Sequence, residues 1–223
     1  YYCPRMIRSP FYVHEWDIEK MERHSILVHQ AHYPIKGLHF VFQALGKLKN
    51  KYPDIKLYIA GKDILHPQKL SRKLLIGGYA KYLKHLIKEN HIEDVICYTG
   101  FLSAEQLAEK LTKVNAVVIP SAIENAPNSL AEGEIVGTPT IATYVGGNMD
   151  MLEHNRDGFL YCYNEPNMLA EYLTRIFESD ELARSLSTHA KKVARMRHDP
   201  DTLEKTILSI YKTLINRKNE SLR

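Results

Sequence analysis

The apolar positions of this chain follow two alternating patterns. Short apolar runs of strand length occur at Ser25–Gln30, Ile55–Ala60, Asp94–Tyr98, Ala116–Ile119, Thr140–Tyr144 and Phe159–Tyr161. Such near-continuous runs mark strands covered on both faces. Between them the apolar residues recur at spacings of three and four. From Gly37 to about Tyr52 the face is Leu38, Val41, Phe42, Leu45 and Leu48, and over Tyr79–Asn90 it is Leu83, Leu86 and Ile87, with Lys81, Lys84 and Lys88 on the solvated side. Ser103-Ala104-Glu105-Gln106 reads as a capping box opening a helix with Leu107, Leu111 and Val114. A short helix over Ser129–Val136 ends at Gly137-Thr138-Pro139, with glycine at the C-cap. The last third is helical: Pro166–Glu178 with Leu169, Leu173, Ile176 and Phe177, a helix capped by Asp180 with Leu182, Leu186 and Val193, and a final helix capped by Asp201 with Leu203, Ile207, Ile210 and Leu214 inside. The alternation predicts an α/β fold, a Rossmann-like doubly wound parallel six-stranded sheet with helices on both faces and right-handed crossovers.

Composition narrows the function classes. A chain of 223 residues with 44% hydrophobic and 25% charged residues builds a core without metal or disulfide staples. A net charge of +4 is too diffuse for a nucleic-acid partner. No apolar run reaches the roughly 18 residues of a membrane span. Cys3, Cys97 and Cys162 are odd in number and lack a C-x-x-C pattern, which fits a reducing, cytoplasmic setting, and Cys97 reads as a packed small hydrophobe. The opening Tyr1-Tyr2-Cys3-Pro4, without an initiator Met, is expected of a fragment.

Ligands of open parallel sheets bind beyond the carboxyl ends of the strands, so the loops after Gln30, Gly61, Gly100 and Pro120 are the candidates. The last runs from Pro120 through Glu124, Asn125, Ala126, Pro127, Asn128, Ser129 and Leu130 to Glu132. Its helix start offers unpaired amides and a positive dipole end to a phosphate, and Asn128 or Ser129 either caps the helix or helps hold the ligand. Glu132, placed in the first turn, is a helix-start acid or an acceptor for sugar hydroxyls. Glu124, eight residues earlier, is a surface acid or a second acceptor. Two acids beside an anion site fit a ligand that is part phosphate and part sugar. Lys36 precedes a helix and either reaches a phosphate as a point charge or is a surface lysine. Gly146-Gly147 either lets backbone approach a ligand or makes a plain turn. His29 and His32 near a strand end are site candidates. Gly77-Gly78 is not a dinucleotide fingerprint and no Walker loop is present. The acid-x-acid spacing of Asp199-Pro200-Asp201 reads as a helix cap, so no metal ligand is expected.

These blocks, in order, resemble the C-terminal, donor-binding half of a GT-B retaining glycosyltransferase of family 4, also called glycosyl transferases group 1. Lys36-Gly37-Leu38 resembles the family's lysine block, and Leu57–Gly61 its strand ending in glycine. Glu124 to Glu132 followed by Gly137-Thr138-Pro139 resembles its E-x7-E motif, and Gly146-Gly147 with Asp157-Gly158-Phe159-Leu160 its closing blocks. The match runs over about residues 25–180. The resemblance implies that residues 1–24 lead in from a first domain, that 25–200 form a nucleotide-sugar-binding domain, and that 201–223 are a C-terminal helix. It implies catalytic roles for Glu124, on hydroxyls of the transferred sugar, and Lys36, on the diphosphate leaving group. Glu132 would hold the ribose, and Pro127, Asn128, Ser129 and Leu130 would cradle sugar and phosphate, with Gly61 and Gly100 in the donor-binding set. No cofactor or metal is implied, since lysine, arginine and helix amides carry the electrostatic role. The substrate would be a nucleotide-diphosphate sugar, with uridine as the base, and the acceptor a glycan or lipid-linked sugar bound mainly by the first domain. The longer protein would be cytoplasmic, peripheral at the inner membrane face, and active in polysaccharide biosynthesis. This chain alone would bind donor but transfer little. Rival readings are a non-catalytic nucleotide-sugar module and a sugar-nucleotide epimerase.

Two departures matter. The family often carries a Gly-Arg pair before its lysine, where this chain has Gln30-Ala31-His32. Either His32 substitutes for the phosphate-binding arginine, or Lys36 acts with the helix amides alone. The acid three residues after the glycine pair is Asp150, a shorter side chain.

Overall fold

The computed structural model describes residues 1–29, 32–66 and 77–221. Gln30, Ala31 and most of the irregular stretch expected over 62–78 lie outside the described residues.

Six strands form one sheet: β1 (Glu22–His29), β2 (Lys56–Ala60), β3 (Ile96–Gly100), β4 (Val114–Ile119), β5 (Thr140–Thr143) and β6 (Phe159–Tyr161). All pairings are parallel and the spatial order is β3-β2-β1-β4-β5-β6. The expected doubly wound sheet is therefore present, and strand order reverses between β1 and β4. The apolar runs locate every strand, with β6 matched at both ends and no end moved by more than three residues.

The described helices are α1 (Pro10–Val13), α2 (Leu38–Leu48), α3 (Gly78–Glu89), α4 (Ala104–Lys113), α5 (Asn128–Val136), α6 (Asn148–Met151), α7 (Pro166–Glu178), α8 (Asp180–Arg197) and α9 (Pro200–Ser221). α2 packs with α3 and α7 on one face of the sheet, while α1, α4, α5 and α8 pack together on the other. Leu38, Val41, Phe42, Leu45 and Leu48 are all buried, as their spacing requires. α4 opens on the expected capping box, with Ser103 and Gln106 exchanging side-chain and backbone hydrogen bonds.

Three details of the helical third differ from expectation. Ser179, not Asp180, caps α8, since its hydroxyl accepts from Leu182 N at 3.1 Å. Asp199, not Asp201, caps α9, accepting from Thr202 N at 2.9 Å. In both cases the acid one or two positions inside the helix sits in the first turn, where the dipole favours it, and Asp180 also pairs with Arg23 through both carboxylate oxygens. The interior stripe expected of α9 holds only at its start. Leu203 is buried, whereas Ile207 and Leu214 are exposed, as is Val193 on α8. A periodic apolar stripe buries itself only where a partner surface exists, and beyond its first turns α9 meets little of the domain. Cys97 is half-buried rather than packed. No described helix is long and apolar enough to cross a membrane.

The first residues are held against the domain. Ile7, Phe11, Trp16 and Ile18 join the core. Trp16 donates its indole N–H to Val114 O at 2.7 Å and its amide to Val136 O at 2.9 Å. Tyr12 Oη donates to His198 O at 2.6 Å, and His198 Nδ1 lies 2.8 Å from Arg5 O. These bonds tie the lead-in to β4, α5 and the end of α8.

Candidate functional site

The cleft opens at the carboxyl ends of β1 and β4, where strand order reverses and the flanking loops diverge. Its volume is about 440 Å³, and its walls include Arg5, Arg8, His29, Lys36, Ser121, Glu124, Asn125, Pro127, Asn128, Ser129 and Glu132. Lys36 arrives from a 3₁₀ turn after β1, Pro34–Lys36, and Glu124 from the loop after β4. Glu132 comes from α5, and the two arginines from the lead-in.

The loop carrying Glu124 is fixed from both sides. Ala122 N donates to Ile35 O at 2.8 Å, and Thr143 Oγ1 donates to Ser121 O at 2.6 Å. Gly37, at φ 70°, packs so tightly that a Cβ there would lie 1.9 Å from Pro120 O. On the other side a Cβ on Gly147 would lie 1.5 Å from Asn125 O, and Gly147 N donates to Glu124 O at 3.3 Å. The close approach expected of Gly146-Gly147 is real, and its object is the backbone of the site loop itself. Such packing holds a polar constellation in place before any ligand arrives.

α5 begins after Pro127 with no side-chain cap. Asn128 and Ser129 occupy its first turn instead of capping it, and both line the cleft. Their amides and the helix dipole point a positive end at the cleft. Glu132 is not the helix-start acid its sequence position implied. It is the fifth residue of α5, beyond the first turn, and only 4% exposed. Burial raises its pKa, and the hydrogen bond and charge of Arg8 offset part of that rise. Arg8 Nη2 donates to Glu132 Oε1 at 2.7 Å. At the other end Lys36 Nζ donates to Glu124 Oε1 at 2.5 Å, with the Glu124 side chain 11% exposed. Each acid therefore has a basic partner from a different segment, 124 and 88 residues away in sequence.

His29 lines the same cleft, its Nε2 buried with no hydrogen-bond partner among the described residues. Burial, followed by the charge of Arg8, pushes its pKa down to about 4, so the ring is neutral at physiological pH. His32 is not among the cleft walls. Its pKa is lowered by burial and by Lys62 and Lys36. Among the described residues no group of three or more His, Cys, Asp or Glu is arranged to hold a metal ion.

Of the residues selected from sequence, Lys36, Glu124, Pro127, Asn128, Ser129 and Glu132 meet at this cleft. Leu130 supports it from below, fully buried, its amide bonded to Pro127 O at 3.2 Å. Gly61 and Gly100 stand apart from the cleft wall, bonded to each other (Gly61 N to Gly100 O, 2.8 Å) at the ends of β2 and β3. Arg5 and Arg8 were not singled out as site residues. The only sequence signal was two arginines three apart, Arg5-Met6-Ile7-Arg8, in a segment without helix periodicity.

Comparison with known proteins agrees with this architecture. An uncharacterized glycosyltransferase of Methanocaldococcus jannaschii is 24% identical over 177 residues, covering 79% of this chain and 42% of its own length. The chain thus spans less than half of that relative. Among solved structures, sucrose-phosphate synthase of Thermosynechococcus elongatus superposes with a TM-score of 0.79 at 20% identity, over 96% of this chain and 52% of that one. Anabaena HepE in complex with UDP-glucose superposes with a TM-score of 0.72 at 21% identity, over 86% of this chain and 49% of that one. These likenesses establish the Rossmann-like fold. The sequence profile described as glycosyl transferases group 1 matches residues 13–193, which takes in every strand and every wall of the cleft except Arg5 and Arg8, and on that match the chain belongs to the glycosyl transferases group 1 family.

Proposed function

We propose that this chain is the donor-binding half of a retaining glycosyltransferase. Its donor is a nucleoside-diphosphate sugar, a UDP-hexose, and the hexose passes to a glycan or lipid-linked acceptor held mainly by a preceding domain. The observation that carries this reading is the set of groups gathered in one cleft: buried Glu132 with Arg8, the uncapped start of α5, and Glu124 with Lys36. A nucleotide sugar presents complementary chemistry, with ribose hydroxyls, diphosphate and sugar hydroxyls. Anabaena HepE, a protein of similar fold, has been solved with UDP-glucose.

Each group has a distinct task. Glu132, desolvated and bonded to Arg8, accepts from the ribose hydroxyls. The amides of Asn128 and Ser129 take phosphate oxygens at the positive end of α5. Glu124 accepts from hydroxyls of the transferred sugar, which frees Lys36 from its resting partner. Lys36 then turns to the diphosphate. It contributes most when the bond to the anomeric carbon breaks and the leaving group gains charge, so its attraction is stronger in the transition state than in the bound ground state. In this reading the amides and basic side chains do the electrostatic work, without metal or cofactor.

Calorimetric titration with UDP and UDP-glucose tests the division. Removing a hydrogen bond to a charged group costs about 1.5–3 kcal/mol. Glu132→Ala should therefore weaken both ligands about 10- to 100-fold. Glu124→Ala should leave UDP nearly unchanged and erase any added affinity for the glucose conjugate. Unchanged affinities in both variants would defeat the assignment.

A further inference from the structure

Arg8 is a basic side chain that the division of labour above uses only as a counter-charge, yet its placement exceeds that task. It reaches from the lead-in to Glu132 through Nη2 alone, at 2.7 Å. The guanidinium carbon lies 5.3 Å from the centroid of the Phe11 ring, itself fully buried. The side chain is nevertheless 56% exposed and lines the cleft. An arginine presents several N–H donors in a rigid fork. One bond to Glu132 and one face on Phe11 fix the plane of that fork, and its other donors remain for a ligand. Lysine in this position would have been spent on the carboxylate as a point charge.

The segment that carries Arg8 is also anchored on both sides. Trp16 holds it to β4 and α5, while Tyr12 and His198 hold it to the end of α8. An ordered fork in the same cleft as the start of α5 is pre-organised to take two oxygens of an anion. The two basic candidates offered by the sequence, His32 and Lys36, bring less to this task. His32 is not a wall of the cleft. Lys36 reaches the diphosphate only after leaving Glu124, and then as a point charge without a fork of donors.

Resting on the donor-site reading, we propose that Arg8 binds the diphosphate of the donor. Glu132 holds the guanidinium by one nitrogen, the remaining nitrogens take non-bridging phosphate oxygens, and the second carboxylate oxygen of Glu132 serves the ribose. The phosphate-binding arginine absent at Gln30-Ala31-His32 is thereby supplied by the lead-in, 28 residues upstream of Lys36.

The test is calorimetry on the 223-residue chain with UDP, GDP and ADP and the matching monophosphates, comparing the unmodified protein with Arg8→Gln and Arg8→Lys. The unmodified chain should prefer a diphosphate to its monophosphate. Arg8→Gln should weaken the diphosphate about 10- to 100-fold, the range for a charge-assisted hydrogen bond. It should change the monophosphate much less, so that the preference collapses. Arg8→Lys, which keeps the charge and loses the fork, should fall between. A role confined to stability would move both ligands together and leave the ratio intact, and that result overturns the proposal. Equal or tighter diphosphate binding in Arg8→Gln also overturns it, the tighter case marking Arg8 as a plug on the ribose carboxylate. In both cases binding by the unmodified chain leaves the donor-site reading standing. Failure of the unmodified chain to bind any of the diphosphates overturns both. Should Arg8→Gln not fold, Arg8→Lys carries the test by the same ratio.

Discussion

Gly147→Ala adds a single methyl group where the site loop and the loop after β5 touch. Gly147 has φ −69°, which any L-residue adopts, so the backbone itself is not strained by the change. The added Cβ would fall 1.5 Å from Asn125 O and 2.7 Å from Asn125 C. Side-chain carbons do not approach closer than 3.0 Å, so the two loops must separate by about 1.5 Å, the kind of overpacking shift that costs roughly 1–3 kcal/mol. In a domain of this size that lowers Tm by about 2–12 °C. The functional consequence is larger. Asn125 follows Glu124 directly, and Gly147 N also bonds Glu124 O at 3.3 Å, so the displaced backbone is the one that aims the carboxylate proposed to bind the sugar. Misplacement by about 1 Å can cost on the order of 10²-fold in a positioned group. Calorimetry should therefore show the UDP-glucose advantage over UDP lost, with circular dichroism still reporting the fold. Unchanged Tm together with an unchanged UDP-glucose advantage would refute the reasoning that these glycines exist to admit the site loop.

Three further outcomes follow from the same contacts. Lys36→Ala leaves the mostly buried Glu124 carboxylate without its partner. A product assay on a longer protein containing both domains should show transfer falling about 10²-fold or more, while UDP affinity changes less, and parallel losses would argue against a transition-state role. Glu134, buried on α5 and paired with Arg197 on α8, has its pKa raised to about 8 by burial. Its proton is bound more tightly in the fold than in the unfolded chain, so its contribution is full below about pH 4.5 and is lost as pH rises through about 8. Thermal melts should show a loss of stability between about pH 4.5 and 8 that Glu134→Gln flattens, and an identical slope in the variant would contradict this. Tyr12→Phe removes the 2.6 Å bond to His198 O. It should cost about 1 kcal/mol and speed proteolysis within residues 1–12, and unaltered cleavage would show that the lead-in is held without that latch.

Much of the fold was legible because its determinants are local. Apolar runs of strand length, helical spacing in α2, α3 and α7, the capping box of α4 and the glycine stop of α5 are each set by neighbours a few residues apart. The site loop was legible for the same reason, since a strand end followed by a helix start is a short-range pattern. What was missed depends on partners far away in sequence. Ser179 caps α8 in an extended conformation, while the Asp180 carboxylate pairs with Arg23, 157 residues away. The exposure of Ile207 and Leu214 depends on what α9 has to pack against. Gly146-Gly147 looked like a ligand approach because sequence cannot say that Glu124 and Asn125 are the backbone being approached. The pairing of Arg8 with Glu132 spans 124 residues, and only the folding of the lead-in against α5 and α8 brings the two together.

The central claim is that one cleft between β1 and β4 holds the donor in a fixed order. A crystal structure of this chain with UDP-glucose tests it most directly. The account predicts the ribose on Glu132, the diphosphate between the first amides of α5 and the basic side chains of Arg8 and Lys36, and the glucose on Glu124. A ligand seated elsewhere on the domain, or seated here with its sugar at Glu132 and its ribose at Glu124, would contradict it.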